Sequence, residues 1–215
     1  MINIEEILKI FAENFPNPKM ELNFPNEFTL LVAIILSAQT TDKRVNIVTN
    51  ELFKVVLTPQ DILKLGEKKL SEYIKTVGLF KSKCKYIMEL SKILIEKYES
   101  SIPKDFNILI TLPGIGRKTA SVFLNTILGE KRIAVDTHVQ RLFSRIGFDE
   151  NLPGYKESKT EYTPKQVEEA LFKIIPEEYQ SRISNWLVLH GRYICTAKKP
   201  KCDMCKISKY CKKKI

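Results

Sequence analysis

The chain has 215 residues, 44% hydrophobic and 28% charged, which excludes a disordered or low-complexity chain and suits one large domain or two small ones. Lys and Arg total 35 against 25 Asp and Glu, a formal net charge of +10, which favours an anionic partner such as nucleic acid. The longest strongly apolar run, Leu30 to Leu36, falls far short of the ~20 residues that a bilayer span needs. Glu5 and Glu6 stand where a secretory signal carries its basic stretch, so no membrane and a cytoplasmic location are expected.

Helical periodicity dominates and no period-2 strand stands out, so an all-α fold is predicted. Ile4, Ile7, Leu8 and Phe11 form an apolar stripe that stops before Pro16 and Pro18. Phe28 to Ser37 is apolar on every side and reads as a central buried helix. Thr41–Asp42 can cap a helix through Phe53. Short helices fit Pro59–Leu65 and Glu67–Thr76, and a longer amphipathic one fits Ser82–Tyr98, with Cys84 as a small, partly buried residue. Phe106–Thr111, Arg117–Leu128, Thr137–Ile146, Pro164–Ile174 and Gln180–Tyr193 complete about eleven helices, with a Pro/Gly/Lys-rich loop at Asn151–Thr163.

Leu112-Pro113-Gly114-Ile115-Gly116-Arg117-Lys118-Thr119-Ala120 joins two of these helices. Pro113 and Gly114 stop the first, and Gly116 lets the backbone turn before the second. Glycines beside a helix N-terminus offer backbone N–H groups and a positive dipole end to a phosphate, so a helix–hairpin–helix that grips DNA backbone without reading sequence fits these residues. The alternative is a plain tight turn between packed helices. Lys118 falls in the first turn of the second helix, where the dipole and Arg117 disfavour a cation and make an amine more nucleophilic. Asp136, between the apolar Ile133–Val135 and a helix, reads first as an N-cap. His138 and His190 read as packed or hydrogen-bonded histidines.

Four of the five cysteines, Cys195, Cys202, Cys205 and Cys211, form C-x6-C-x2-C-x5-C. In a chain with no export signal, metal ligation is the better reading than disulfides. Only one C-x2-C knuckle is present and the outer spacings are unequal, which leans toward an iron–sulfur cluster and leaves zinc open. Eight lysines, Lys198 and Lys199 among them, and one acid, Asp203, are interleaved with these thiols over residues 196–215. The segment thus supplies +7 of the net charge, as a solvated tail or a phosphate-facing loop.

Leu112–Ala120, Val135–Val139 and the cysteine spacing together resemble the endonuclease III family, bifunctional DNA glycosylase/AP lyases of base-excision repair. Leu36–Asp42, Gly78–Leu79 and Leu189–Tyr193 also match family segments, so the resemblance spans nearly the whole chain. It implies a six-helix lobe over residues 20–131, containing the hairpin at about 106–128, and a cluster lobe from residues 1–19 plus 132–215, with double-stranded DNA held across the cleft. It further implies a [4Fe–4S] cluster on the four cysteines and Lys118 as the nucleophile, with Asp136 catalytic as well as capping. Gln39 and Leu79 would fill the gap left by the extruded nucleotide, and Gly114, Gly116, Arg117, Lys198 and Lys199 would meet the backbone. Oxidised pyrimidines and abasic sites are the implied substrates, for a monomer associated with the nucleoid. The loop Asp149–Thr163 departs from the family in length, which puts local DNA contacts there in doubt. The rivals are a monofunctional adenine or thymine mismatch glycosylase and a non-catalytic DNA-binding module. The adenine enzyme usually lacks the hairpin lysine and has a further C-terminal domain, whereas Lys118 is present here and the chain stops four residues after Cys211.

Overall fold

The computed structural model describes residues 2–18, 20–153 and 162–213, and among them the protein is all-helical, with no strand. Two compact units form, Glu21–Leu128 and the pair of segments Met1–Met20 and Gly129–Ile215.

Glu21–Leu128 is built on α2 (Glu27–Ser37), whose residues Phe28 through Leu36 are all buried. A helix apolar on every face needs partners on every face, and α3 (Asp42–Leu52), α5 (Phe80–Tyr98) and α7 (Arg117–Leu128) pack around it. Its start is fixed by a capping box between Asn26 and Thr29. The two short helices predicted at 59–65 and 67–76 are both present within α4 (Pro59–Ile74), kinked apart at Gly66, where φ is 76° and ψ 159°. α4 lies against α5, which begins at Phe80. The brief α6 (Phe106–Leu109) leads into the hairpin and α7.

The second unit gathers α1 (Ile4–Asn14), α8 (Thr137–Ile146), α9 (Pro164–Ile174) and α10 (Glu177–Tyr193), with one-turn 3₁₀ helices at Phe148–Asn151 and Cys202–Met204. α10 starts earlier than the expected Gln180. The chain's two ends meet here because α1 presents Ile7, Leu8 and Phe11 to the fully buried Trp186 of α10. The Phe11 and Trp186 ring centroids are 6.2 Å apart, and the indole N–H donates to the Phe15 carbonyl at 2.9 Å. Asn151 ties the start of the chain down with hydrogen bonds to both the N–H and the carbonyl of Ile2, each 3.1 Å. Most of the loop expected at 149–163, residues 154–161, lies outside the described residues, as does Lys214. Cys84 is buried more fully than expected, its thiol donating to the Glu67 carbonyl at 3.4 Å.

Candidate functional site

The unit Glu21–Leu128 carries the hairpin and the segments bearing Gln39 and Leu79; the other unit carries Asp136 and the cysteines. The hairpin turn spans Leu112–Ile115, closed by an Ile115 N–H to Leu112 carbonyl bond of 3.1 Å, with φ +76° at Gly114. This is the pattern of a type II turn, Pro113 preceding a glycine at the position needing positive φ. A Cβ on Gly114 would sit 2.9 Å from the Cβ of Tyr86 on α5. That neighbour is anchored to helix backbone and cannot swing aside. Gly114→Ala is therefore expected to cost about 1–3 kcal/mol and to weaken duplex binding. A thermal melt and a binding titration check both effects. Gly116 differs from expectation, since it is not among the residues with positive φ, and a Cβ there would meet nothing within 4 Å. Its contribution is open approach to the backbone just before α7 rather than a sharp turn.

Lys118 is exposed in the first turn of α7. Its neighbour Arg117 is also exposed and lays its guanidinium over the Phe106 ring, 4.9 Å from the centroid, which staples α6 to α7 across the turn. Gln39 and Leu79 are both exposed and both left-handed, with φ of 54° and 58°. Their segments are joined by the Gly78 N–H, which donates to Thr40 Oγ1 at 3.1 Å.

Asp136 is half-buried and caps α8, one carboxylate oxygen accepting from the N–H groups of His138 at 2.8 Å and Val139 at 2.9 Å. Double capping holds the carboxylate in one orientation at a helix N-terminus, where negative charge is favoured. His138 is half-buried, its Nδ1 3.3 Å from the Arg141 guanidinium.

Cys195, Cys202, Cys205 and Cys211 all line one pocket. Among the described residues, no three Cys, His, Asp or Glu side chains converge as a single ion requires. Four thiols facing one pocket are the donor set that a [4Fe–4S] cluster takes. The rim adds donors. Arg145 points Nη1 at Cys195 Sγ (3.6 Å) while binding the Thr196 and Ala197 carbonyls at 2.9 and 3.2 Å, and the Lys213 N–H donates to Cys211 Sγ at 3.3 Å. His190 lies with Nε2 3.6 Å from Cys205 Sγ and its ring edge-on to Phe11, and burial pushes its imidazole down to about 4, so it stays neutral at pH 7. Burial pushes the Cys205 and Cys211 thiols up, so loading iron must displace protons from them. Lys198 and Lys199 are exposed.

Two residues gain their place only in the folded protein, Arg145 and Lys83. Arg145 follows Arg141 by one helical turn on α8. Lys83 occupies the same stripe as Ile87, Leu90 and Leu94, all buried, and that i, i+4, i+7, i+11 spacing was the available signal. Lys83 is 3% exposed, and burial pushes its ammonium down to about 8.

Residues 32–176 match the family model of the HhH-GPD superfamily base excision DNA repair proteins, and residues 195–211 match the iron–sulfur binding domain of endonuclease III. Endonuclease III of Rickettsia conorii is 51% identical over 97% of this chain and 94% of its own length, and that of Escherichia coli K12 is 45% identical with the same coverage. A non-covalent endonuclease III–DNA complex superposes with a TM-score of 0.90 at 38% identity, covering 99% of this chain and 97% of that one. The fold and hairpin thus define a helix–hairpin–helix base-excision repair protein. Within that class, the chain belongs to the endonuclease III family of DNA glycosylase/AP lyases, whose cofactor is a [4Fe–4S] cluster. A thermostable thymine-DNA glycosylase, at 23% identity and TM-score 0.81, shares the fold alone. Protein purified without added metal is expected to be brown and to hold iron and sulfide in equal amounts. Zinc in their place would overturn the cluster.

Proposed function

We propose that this protein works as a monomer on double-stranded DNA, removing oxidised pyrimidines and then cutting 3′ to the resulting abasic site, in the cytoplasm at the nucleoid. The observation that carries the reading is Lys118, an exposed primary amine one residue inside α7, directly after an open hairpin. A primary amine in this position can act as the nucleophile of a Schiff-base mechanism.

The target nucleotide first leaves the stack, at a cost of a few kcal/mol that is lowest for a damaged base. Gln39 hydrogen-bonds the orphaned partner base and Leu79, 58% exposed, wedges into the gap. Gly114, Gly116 and Arg117 hold the backbone at the hairpin, and Lys198 and Lys199 meet phosphates beside the cluster. Lys118 Nζ attacks C1′ and the base departs with the bonding pair. Asp136 takes the proton that the amine releases and stabilises the positive charge developing on the sugar. The sugar ring opens to a Schiff base on Lys118, loss of a C2′ proton expels the 3′ phosphate, and water releases the enzyme. Cys195, Cys202, Cys205 and Cys211 would hold the cluster, which when bound supplies a rigid core for the basic loop, with every ligand position filled.

A panel of lesion-bearing duplexes, incubated with and without borohydride, tests this reading. Oxidised-pyrimidine and abasic duplexes are expected to yield 3′ cleavage without borohydride and a covalent adduct with it. Base release with neither adduct nor cleavage would instead make the protein a monofunctional glycosylase. Binding with no base release and no cleavage would make it a non-catalytic module.

A further inference from the structure

Outside the hairpin and the cysteine loop, Lys83 is an ammonium buried where an aliphatic residue would ordinarily sit. Its Nζ donates to the carbonyls of Leu36 at 2.8 Å and Ala38 at 2.5 Å and lies 3.4 Å from Thr40 Oγ1. The two carbonyls belong to the end of α2, where helix carbonyls lack intrahelical partners and the dipole is negative. Thr40 Oγ1 also accepts from the Gly78 N–H at 3.1 Å. The Lys83 backbone N–H meanwhile bonds the Leu79 carbonyl at 3.1 Å, opening α5. At Gly78 the two segments touch so closely that a Cβ would lie 2.9 Å from the Gln39 carbonyl oxygen.

The residues this cluster brackets are Gln39 and Leu79, both in the left-handed region that non-glycine residues avoid. Such conformations persist only where surrounding structure over-determines them. Burying a charge is costly unless every donor is satisfied, and here each of the three ammonium protons faces an acceptor. A C-cap alone does not require that. A single charged group bonding the end of α2 on one side, and through Thr40 the turn before Leu79 on the other, makes one platform of two separate segments.

We propose that Lys83 is a positioning residue for gap filling. Its buried ammonium locks the 38–41 and 77–79 segments together, so that Gln39 and Leu79 enter the duplex as a preset pair instead of being ordered by the DNA. The proposal rests on the reading of Gln39 and Leu79 as the inserted residues.

The test uses the full, cluster-loaded chain and a duplex with 2-aminopurine opposite a tetrahydrofuran abasic analogue, whose fluorescence rises when the base unstacks. In Lys83→Met, the rise at saturating protein is expected to fall by at least half, and single-turnover cleavage of an authentic abasic duplex to slow by about tenfold, a loss of preorganisation. Saturation separates insertion from affinity, so a merely structural residue would leave the amplitude untouched. Should Lys83→Met fail to fold, Thr40→Ala removes the link to Gly78 while sparing both carbonyl bonds, and a smaller loss of amplitude is expected. A wild-type amplitude in the folded Lys83 variant, or in Thr40→Ala if only that one folds, overturns the proposal. Gln39→Ala and Leu79→Ala run alongside. If these lose amplitude and the Lys83 variant does not, the insertion reading stands and the role of Lys83 falls. If they keep it, the insertion reading fails and the proposal falls with it.

Discussion

Lys118→Ala is expected to abolish the borohydride adduct and to lower single-turnover cleavage of an abasic duplex by a factor on the order of 10⁴ or more, the scale seen when a nucleophile is removed. Binding to the same duplex should change little. The side chain is exposed and the buried face of α7 is formed by Ala120, Ser121, Phe123 and Leu124, so the fold should shift by no more than about 0.5 kcal/mol. Lys118→Arg sharpens the result. It keeps the positive charge beside the hairpin and removes the nucleophile, so it should bind like wild type and trap nothing. Gel-resolved trapping, with a thermal melt of each variant, separates lost chemistry from lost structure. Full trapping in the alanine variant would remove Lys118 from the mechanism.

Asp136 carries the second large effect, and two substitutions divide its roles. Asparagine is as good an N-cap as aspartate, so Asp136→Asn should keep the bonds to the His138 and Val139 N–H groups and the thermal midpoint. Without a carboxylate, base release should fall by about 10² to 10⁴, the usual share of a positioned acid or base. Asp136→Ala should lose the same activity and, in addition, about 1 kcal/mol of stability from the missing cap. Base release measured under single turnover, beside calorimetric melts of both variants, checks the pair. Undiminished excision in Asp136→Asn would leave the residue a cap and nothing more.

The chemistry of this chain sits in residues whose local sequence announces them, whereas the geometry that supports them does not. Pro113, Gly114 and Gly116 mark the hairpin by backbone chemistry alone, and α2 is legible because no amphipathic face interrupts Phe28–Leu36. The cysteine spacing is equally local. Gln39 and Leu79 are different. Nothing in either residue type favours positive φ, and the bonds from Thr40 and Lys83 that bracket the strain come from positions 38 or more residues away in sequence for the Thr40–Gly78 and Lys83–Ala38 pairs. The same holds for α1, whose stripe is plain but whose partner, α10, is named only by the Phe11–Trp186 contact. At Gly66 the periodicity suggests two helices, and the non-helical glycine does separate two helical pieces. Gly116 reads as a turn residue and is an opening, because a sequence shows that a side chain is missing but not what the missing side chain would have met.

The embrace of α1 by α10 also sets a timetable for synthesis. The indole bond from Trp186 to Phe15 spans 171 residues. At roughly 5–20 residues per second, α1 leaves the ribosome about ten to thirty seconds before its cover exists. Residues 21–128 have a complete core of their own in the meantime, so the middle of the chain can fold while its beginning waits with Ile7, Leu8 and Phe11 bare. The four cysteines emerge only after Trp186. α1 and the cysteine loop thus become native together, and chains that stop before position 186 expose an apolar stripe that cellular quality control can recognise.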